Sequence, residues 1–253
     1  MIITQEDRNL FHNSCDKIIE KERMRQGIGT LGEKTLHAVL KHYLDPREEY
    51  HEKRCCGFVA DILAEGEITE IQTRSFDKLR RKLDVFLENY DVTIVYPIPA
   101  LKWVIWIDEE TGEVTDKRKS PKKGSYYHAF YELYKIKQYL NHPNLHLRLM
   151  LINMEEYRLL NGWSRDKKRG SSRYDRIPVE LEDELYIASA PDYGFFLPES
   201  LPEEFTSAEY AKSARLTLRQ AQTALNVLTY LETVERSGKR GRSILYRARV
   251  KVS

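Results

Sequence analysis

Residues 57–73, GFVADILAEGEITEIQT, hold the side chains whose types and spacing could do chemistry. A two-residue turn at Glu65-Gly66, or a four-residue loop over 64–67, joins two short strands with Ala64 opposite Glu67 and, counting outward, Asp61 opposite Glu70. Strand alternation then puts Gln72 on the face of Glu70 and turns Ile62 and Ile71 the other way, into an apolar layer. Two carboxylates directly across a strand pair repel each other. A divalent cation with oxygen ligands, Mg²⁺ or Mn²⁺, compensates them and can activate water. Solvation of an acidic hairpin face compensates them too, and both readings stand at this point.

The elements that must position this hairpin are legible on either side. Upstream, Thr30-Leu31-Gly32-Glu33 opens a helix whose apolar residues Leu36, Val39, Leu40 and Tyr43 fall at helical spacing. Glu33 lies near the edge of that stripe; it also fits a capping box with Thr30, in which it only satisfies a backbone N–H. Downstream, Phe76, Leu79, Leu83, Phe86, Leu87 and Tyr90 share one helical face, and VTIVYPI from Val92 reads as a buried strand. The order is helix, strand, strand, helix, strand.

That order, with Glu33 in a Gly-Glu pair, Asp61 in Ala-Asp and Glu70 in Glu-Ile-Gln, resembles the PD-(D/E)XK nuclease superfamily over residues 30–98, particularly its restriction-endonuclease-like and Holliday-junction-resolvase-like members. The resemblance implies an α/β fold, a restriction-endonuclease-like mixed sheet flanked by helices. It also implies a Mg²⁺-dependent deoxyribonuclease with Glu33, Asp61, Glu70 and Gln72 as catalytic residues and Asp61 and Glu70 as metal ligands. The Pro usual before the Asp is absent. Gln72 stands where the family carries a lysine, and an amide can orient water but cannot supply positive charge. Arg74 and Lys78 are candidates to replace that charge. A retired nuclease scaffold that only binds DNA is the alternative.

The net charge of +2 hides a segregation, since residues 206–253 contain ten Lys or Arg against three Glu. A basic module on an acidic body points to nucleic acid. Thr206-Ser207-Ala208-Glu209 starts a short helix by a capping box, Thr217 caps a longer one with Leu218, Ala221, Leu225, Leu228 and Leu231 on its buried side, and VERSGKRGRSILYRARV forms a hairpin. This resembles a small C-terminal winged helix-turn-helix domain, with Arg219, Gln220 and Thr223 on the recognition helix and Lys239, Arg240 and Arg242 on the wing as DNA-binding residues. A helical protein-docking module is the alternative. Pro191, Pro198 and Pro202 mark an extended linker, which divides the chain into a nuclease-like domain with an N-terminal helix (1–190), a linker (191–205) and the basic domain (206–253).

A chain of 253 residues can bury a real core. No segment reaches membrane-spanning length and MIITQEDRNLF lacks the features of a signal peptide, so a cytoplasmic protein without a membrane partner is expected. Three cysteines without CxxC spacing support neither a disulfide framework nor structural zinc. Between the two modules, LKWVIWID and LHLRLMLIN read as strands and 126–140 as a helix. KRKSPKKG (117–124) and WSRDKKRGSSRYDR (163–176) read as basic loops open to phosphate. The helical first 25 residues could pack on the core or form a homodimer.

Overall fold

The computed structural model describes residues 3–26, 35–161 and 170–249. Helices α1 (Gln5–Gln26) and α2 (Thr35–Leu44) lead into strands β1 (His51–Cys55), β2 (Phe58–Ala64) and β3 (Glu67–Ile71), which form a meander. Its two tight turns, Cys56-Gly57 and Glu65-Gly66, have positive φ at both central residues. That is the primed turn whose twist matches paired strands, and the glycine in each second position makes it accessible.

The chain then crosses over. A 3-10 turn (Phe76–Leu79) and α3 (Arg80–Phe86) return it so that β4 (Asp91–Asp108) runs parallel to β3. The short β5 (Arg118–Lys119) pairs back on β4; after α4 (Phe130–Leu133) come the long β6 (Leu145–Leu160), parallel to β4, and β7 (Ser172–Ile187), antiparallel to β6. The strand order is β1-β2-β3-β4-β6-β7, a mixed sheet in an α/β architecture.

Helices cover both faces. Phe76, Leu79, Leu83 and Phe86 pack with Ile68 and Ile94 on one side; Phe11, Leu36, Val39 and Leu40 pack with Ile71 and Val95 on the other. Ile94 and Val95 are adjacent in β4 and enter opposite layers, which is why apolar residues there do not alternate with polar ones. Among the described residues no helix is long and apolar enough to cross a membrane.

The remaining elements are β8 (Glu204–Thr206), α5 (Ser207–Ser213), α6 (Leu218–Tyr230), β9 (Val234–Arg240) and β10 (Ser243–Ala248), with sheet order β8-β10-β9. Both helices start at capping boxes, Thr206 with Glu209 and Thr217 with Gln220. Ala221, Ala224, Leu225, Val227 and Leu228 form the buried side of α6, whereas Leu218, expected there, is 49% exposed in its first turn.

Other expectations also change. Residues 191–205 are not an extended linker throughout: Ala190–Phe196 is a 3-10 helix with Pro191 in its first turn, where a missing N–H costs nothing, and Tyr193, Phe196 and Leu197 are buried. The segment 126–140 is one α-helical turn between 3-10 segments, broken at Ile136. Residues 173–176, expected in a loop, belong to β7, where Arg173, Asp175 and Arg176 lie opposite Arg158, Tyr157 and Glu156 of β6. The charge that gives them a loop-like composition is drawn into the sheet by the buried Glu156, which faces Arg173 Nε at 3.6 Å and Lys102 Nζ at 3.0 Å. Strand β1, HEKRC, carries no apolar signal in the sequence because an edge strand stays charged.

Phe196 joins the C-terminal elements to the rest. Its ring meets Phe130 at 4.7 Å and Tyr127 at 5.4 Å, and its carbonyl accepts from Tyr210 Oη at 2.9 Å. Phe196→Ala is expected to cost about 3–5 kcal/mol in urea unfolding. The unmutated chain is expected to melt in one transition, and a separate transition for the C-terminal elements in calorimetry would contradict the shared core.

Candidate active site at the β2/β3 hairpin

The β2/β3 ladder runs Ala64 to Glu67, Leu63 to Ile68 and Ile62 to Thr69. Its next step would set Asp61 against Glu70, and there side chains replace backbone pairing. The Ile71 N–H donates to Asp61 Oδ2 at 2.8 Å. The two carboxylates thus occupy the opening where the strands part.

Each carboxylate is met by a basic side chain from a different helix. Asp61 Oδ2 lies 3.1 Å from His37 Nε2 on α2. The start of that helix is fixed by Thr35 Oγ1, which donates to the buried Asp175 of β7 at 2.5 Å. Burial works to raise the Asp61 pKa, but His37 and the Ile71 N–H hold it below its ordinary value. Glu70 is 2% exposed and accepts two bonds from Lys82 Nζ, at 2.7 and 3.0 Å, while the same ammonium donates to Val59 O at 2.7 Å. Burial first, and the charge of Asp61 second, push the Glu70 pKa up against the pull of Lys82.

The sequence pattern alone does not mark Lys82 or His37. Lys82 flanks the buried stripe Leu79, Leu83, Phe86 and comes from α3, one turn beyond Lys78. Gln72 points elsewhere. Its amide donates to Arg74 O and to Ser75 O (3.3 Å), tying the chain reversal in which Ser75 has φ 60°. Its backbone N–H donates to Val95 O. Glu33 lies outside the described residues.

In the C-terminal elements the candidate contacts divide similarly. Arg219 is exposed on α6. Gln220 Oε1 accepts from Thr217 N and Oγ1 within the capping box, and Thr223 Oγ1 donates back to Arg219 O at 2.9 Å. On the β9/β10 hairpin Lys239 and Arg242 are exposed, whereas Arg240 is paired with Glu209 at 2.9 Å.

Among the described residues no three His, Cys, Asp or Glu side chains gather to hold an ion. The donor set at the hairpin is two carboxylates. That suits Mg²⁺ or Mn²⁺, since Mg²⁺ usually keeps several waters and takes only one or two protein carboxylates.

Comparison with known proteins gives a family. The chain is 30% identical over 227 residues to a Treponema pallidum (strain Nichols) protein described as uncharacterized, with 87% of each chain covered. No solved structure matches. Residues 34–188, which include His37, Asp61, Glu70 and Lys82 and end before the C-terminal elements, match the family described as "Domain of unknown function (DUF8091)". The chain belongs to that DUF8091 family.

Proposed function

We propose that this protein is a metal-dependent deoxyribonuclease on a restriction-endonuclease-like scaffold, carried to duplex DNA by a C-terminal winged helix-turn-helix. The observation that carries the reading is the set Asp61, Glu70 and Lys82: two neighbouring carboxylates where two strands part, with a lysine on one of them. The order α2, β2, β3, α3, β4 supports it, and Lys82 supplies from the helix the charge that Gln72 lacks. Asp61 and Glu70 would hold Mg²⁺ or Mn²⁺, which when bound supplies an activated water and Lewis-acid charge. His37 fixes the orientation of Asp61, and Lys82 adds positive charge where a scissile phosphate would gather negative charge. The C-terminal reading rests on two capped helices followed by a hairpin with basic residues at its tip.

A second reading has one observation in its favour. Lys82 already occupies both oxygens of Glu70, as it would in a scaffold that binds DNA without cutting it.

The test of the metal site is thermal. Saturating Mn²⁺ should raise the melting temperature of the full chain by roughly 5–10 °C, through about 2.7 kcal/mol at a hundredfold excess over Kd. Asp61→Ala should abolish the response, and an unchanged melting curve of the unmutated chain would refute the metal site.

A further inference from the structure

We infer that the loop spanning residues 118–123 holds the phosphodiester backbone of the nucleic acid beside the Asp61/Glu70 site; this deepens the nuclease reading and rests on it. Strand β4 has two edges. One edge is paired with β6 from Val92 to Asp108, so β3 and β5 must share the other. Strand β3 follows that edge to Val95, whose carbonyl accepts from the Gln72 N–H.

From the far end the chain after β5 runs back along the same edge. The Ser120 N–H donates to Lys102 O at 2.7 Å and the Gly124 N–H to Ala100 O at 2.9 Å. Gly124 is pressed so close that a Cβ there would lie 2.0 Å from Pro99 O, so only glycine permits the approach. The stretch of β4 between Val95 and Pro99, about 13 Å of strand, separates the end of β3 from this anchored loop. The loop therefore lies in line with the strand that carries Glu70.

The charges on the loop are of two kinds. Lys117 is engaged with Glu155, and neighbouring Lys102 with Glu156. Arg118, Lys119, Lys122 and Lys123 are exposed and have no carboxylate partner among the described residues. Trp103 stabilises the base of the arrangement, with Lys117 Nζ 4.8 Å and Lys119 Nζ 5.8 Å from its ring centroid. Four uncompensated cations within six residues, on a loop already tied by backbone bonds, present a field suited to a row of phosphates. They also lose less freedom on binding than a loose tail would. Phosphate contacts of this kind position a duplex without reading its sequence.

The experiment uses the full chain carrying Asp61→Ala, which separates binding from cleavage. Affinity for a labelled mixed-sequence duplex is measured by anisotropy between about 50 and 200 mM salt. Adding Arg118→Gln, Lys119→Gln, Lys122→Gln and Lys123→Gln together should weaken binding at least tenfold at the low end. It should also reduce the slope of log K against log salt by roughly 0.9 for each phosphate no longer neutralised. The unfolding midpoint should change little, because all four residues are exposed and only Lys119 has a neighbour to lose, the Trp103 ring. If the fourfold variant keeps the parent affinity and slope while Lys239→Ala with Arg242→Ala flattens it, the loop is not a contact and the inference falls, with DNA binding intact. If the parent binds no duplex, single-stranded or branched DNA at low salt, the inference and the nuclease reading fall together.

Discussion

Asp61→Ala and Glu70→Ala should each lower Mn²⁺-supported DNA cleavage by on the order of 10³-fold or more, because each removes half of the carboxylate pair that would hold the metal. Lys82→Ala should cost on the order of 10²- to 10³-fold by removing charge stabilisation at the phosphate. The assay is gel-resolved cleavage of duplex, single-stranded and branched DNA by purified protein. Absence of cleavage by the unmutated chain on all three would favour the binding-only reading. Cleavage that survives Asp61→Ala would place the chemistry somewhere other than this hairpin.

The second large effect is on stability. Lys82→Ala leaves Glu70, 2% exposed, as a buried carboxylate without its cation, at an expected cost of about 3–5 kcal/mol near pH 8. Glu70 already has a raised pKa in the folded chain, and loss of Lys82 raises it further. Between its unfolded and folded pKa the native chain holds more protons than the unfolded one, so this group's contribution to stability falls as pH rises. The penalty of Lys82→Ala should therefore shrink as pH drops from about 8 to about 5, where Glu70 can take up a proton. Glu70→Gln combined with Lys82→Met should recover most of the loss, since no buried charge remains. Urea unfolding at the two pH values measures this. An equal penalty at both would place the cost in packing instead of charge.

How much of this is legible in the sequence depends on whether the information is local. The hairpin register follows from Glu65-Gly66 and strand alternation, and the turn has the positive φ angles that such a register requires. The buried stripes of α2 and α3 and the apolar run of β4 are readable because each reports one or two packed faces by its period. Lys82 is not readable. It is twelve positions beyond Glu70, and only the packing of α3 against the sheet brings its ammonium back to that carboxylate. His37 is hidden likewise, one residue from the buried Leu36 and pointing at a strand that follows later. Residues 173–176 look solvated because their composition is polar, and the cross-strand partners that place Arg176 in the interior lie on β6. Gln220 matches a base-reading position by helical spacing, yet its amide oxygen is committed to Thr217.

The packing of Phe196 against Phe130 and Tyr127 has a consequence for where a cut would fall. A nuclease whose DNA-gripping part swings on a slack tether samples many distances and leaves ragged ends. Here Tyr193, Phe196, Leu197 and Phe205 bury the segment that would have been the tether, and Leu225 and Leu228 of α6 belong to the same core as Phe130 and Leu133. In the proposed nuclease the two ends of the molecule would work as one calliper of fixed span. DNA seated on α6 would meet the β2/β3 hairpin at one offset along the helix axis, so its products would have a single length measured from the seat.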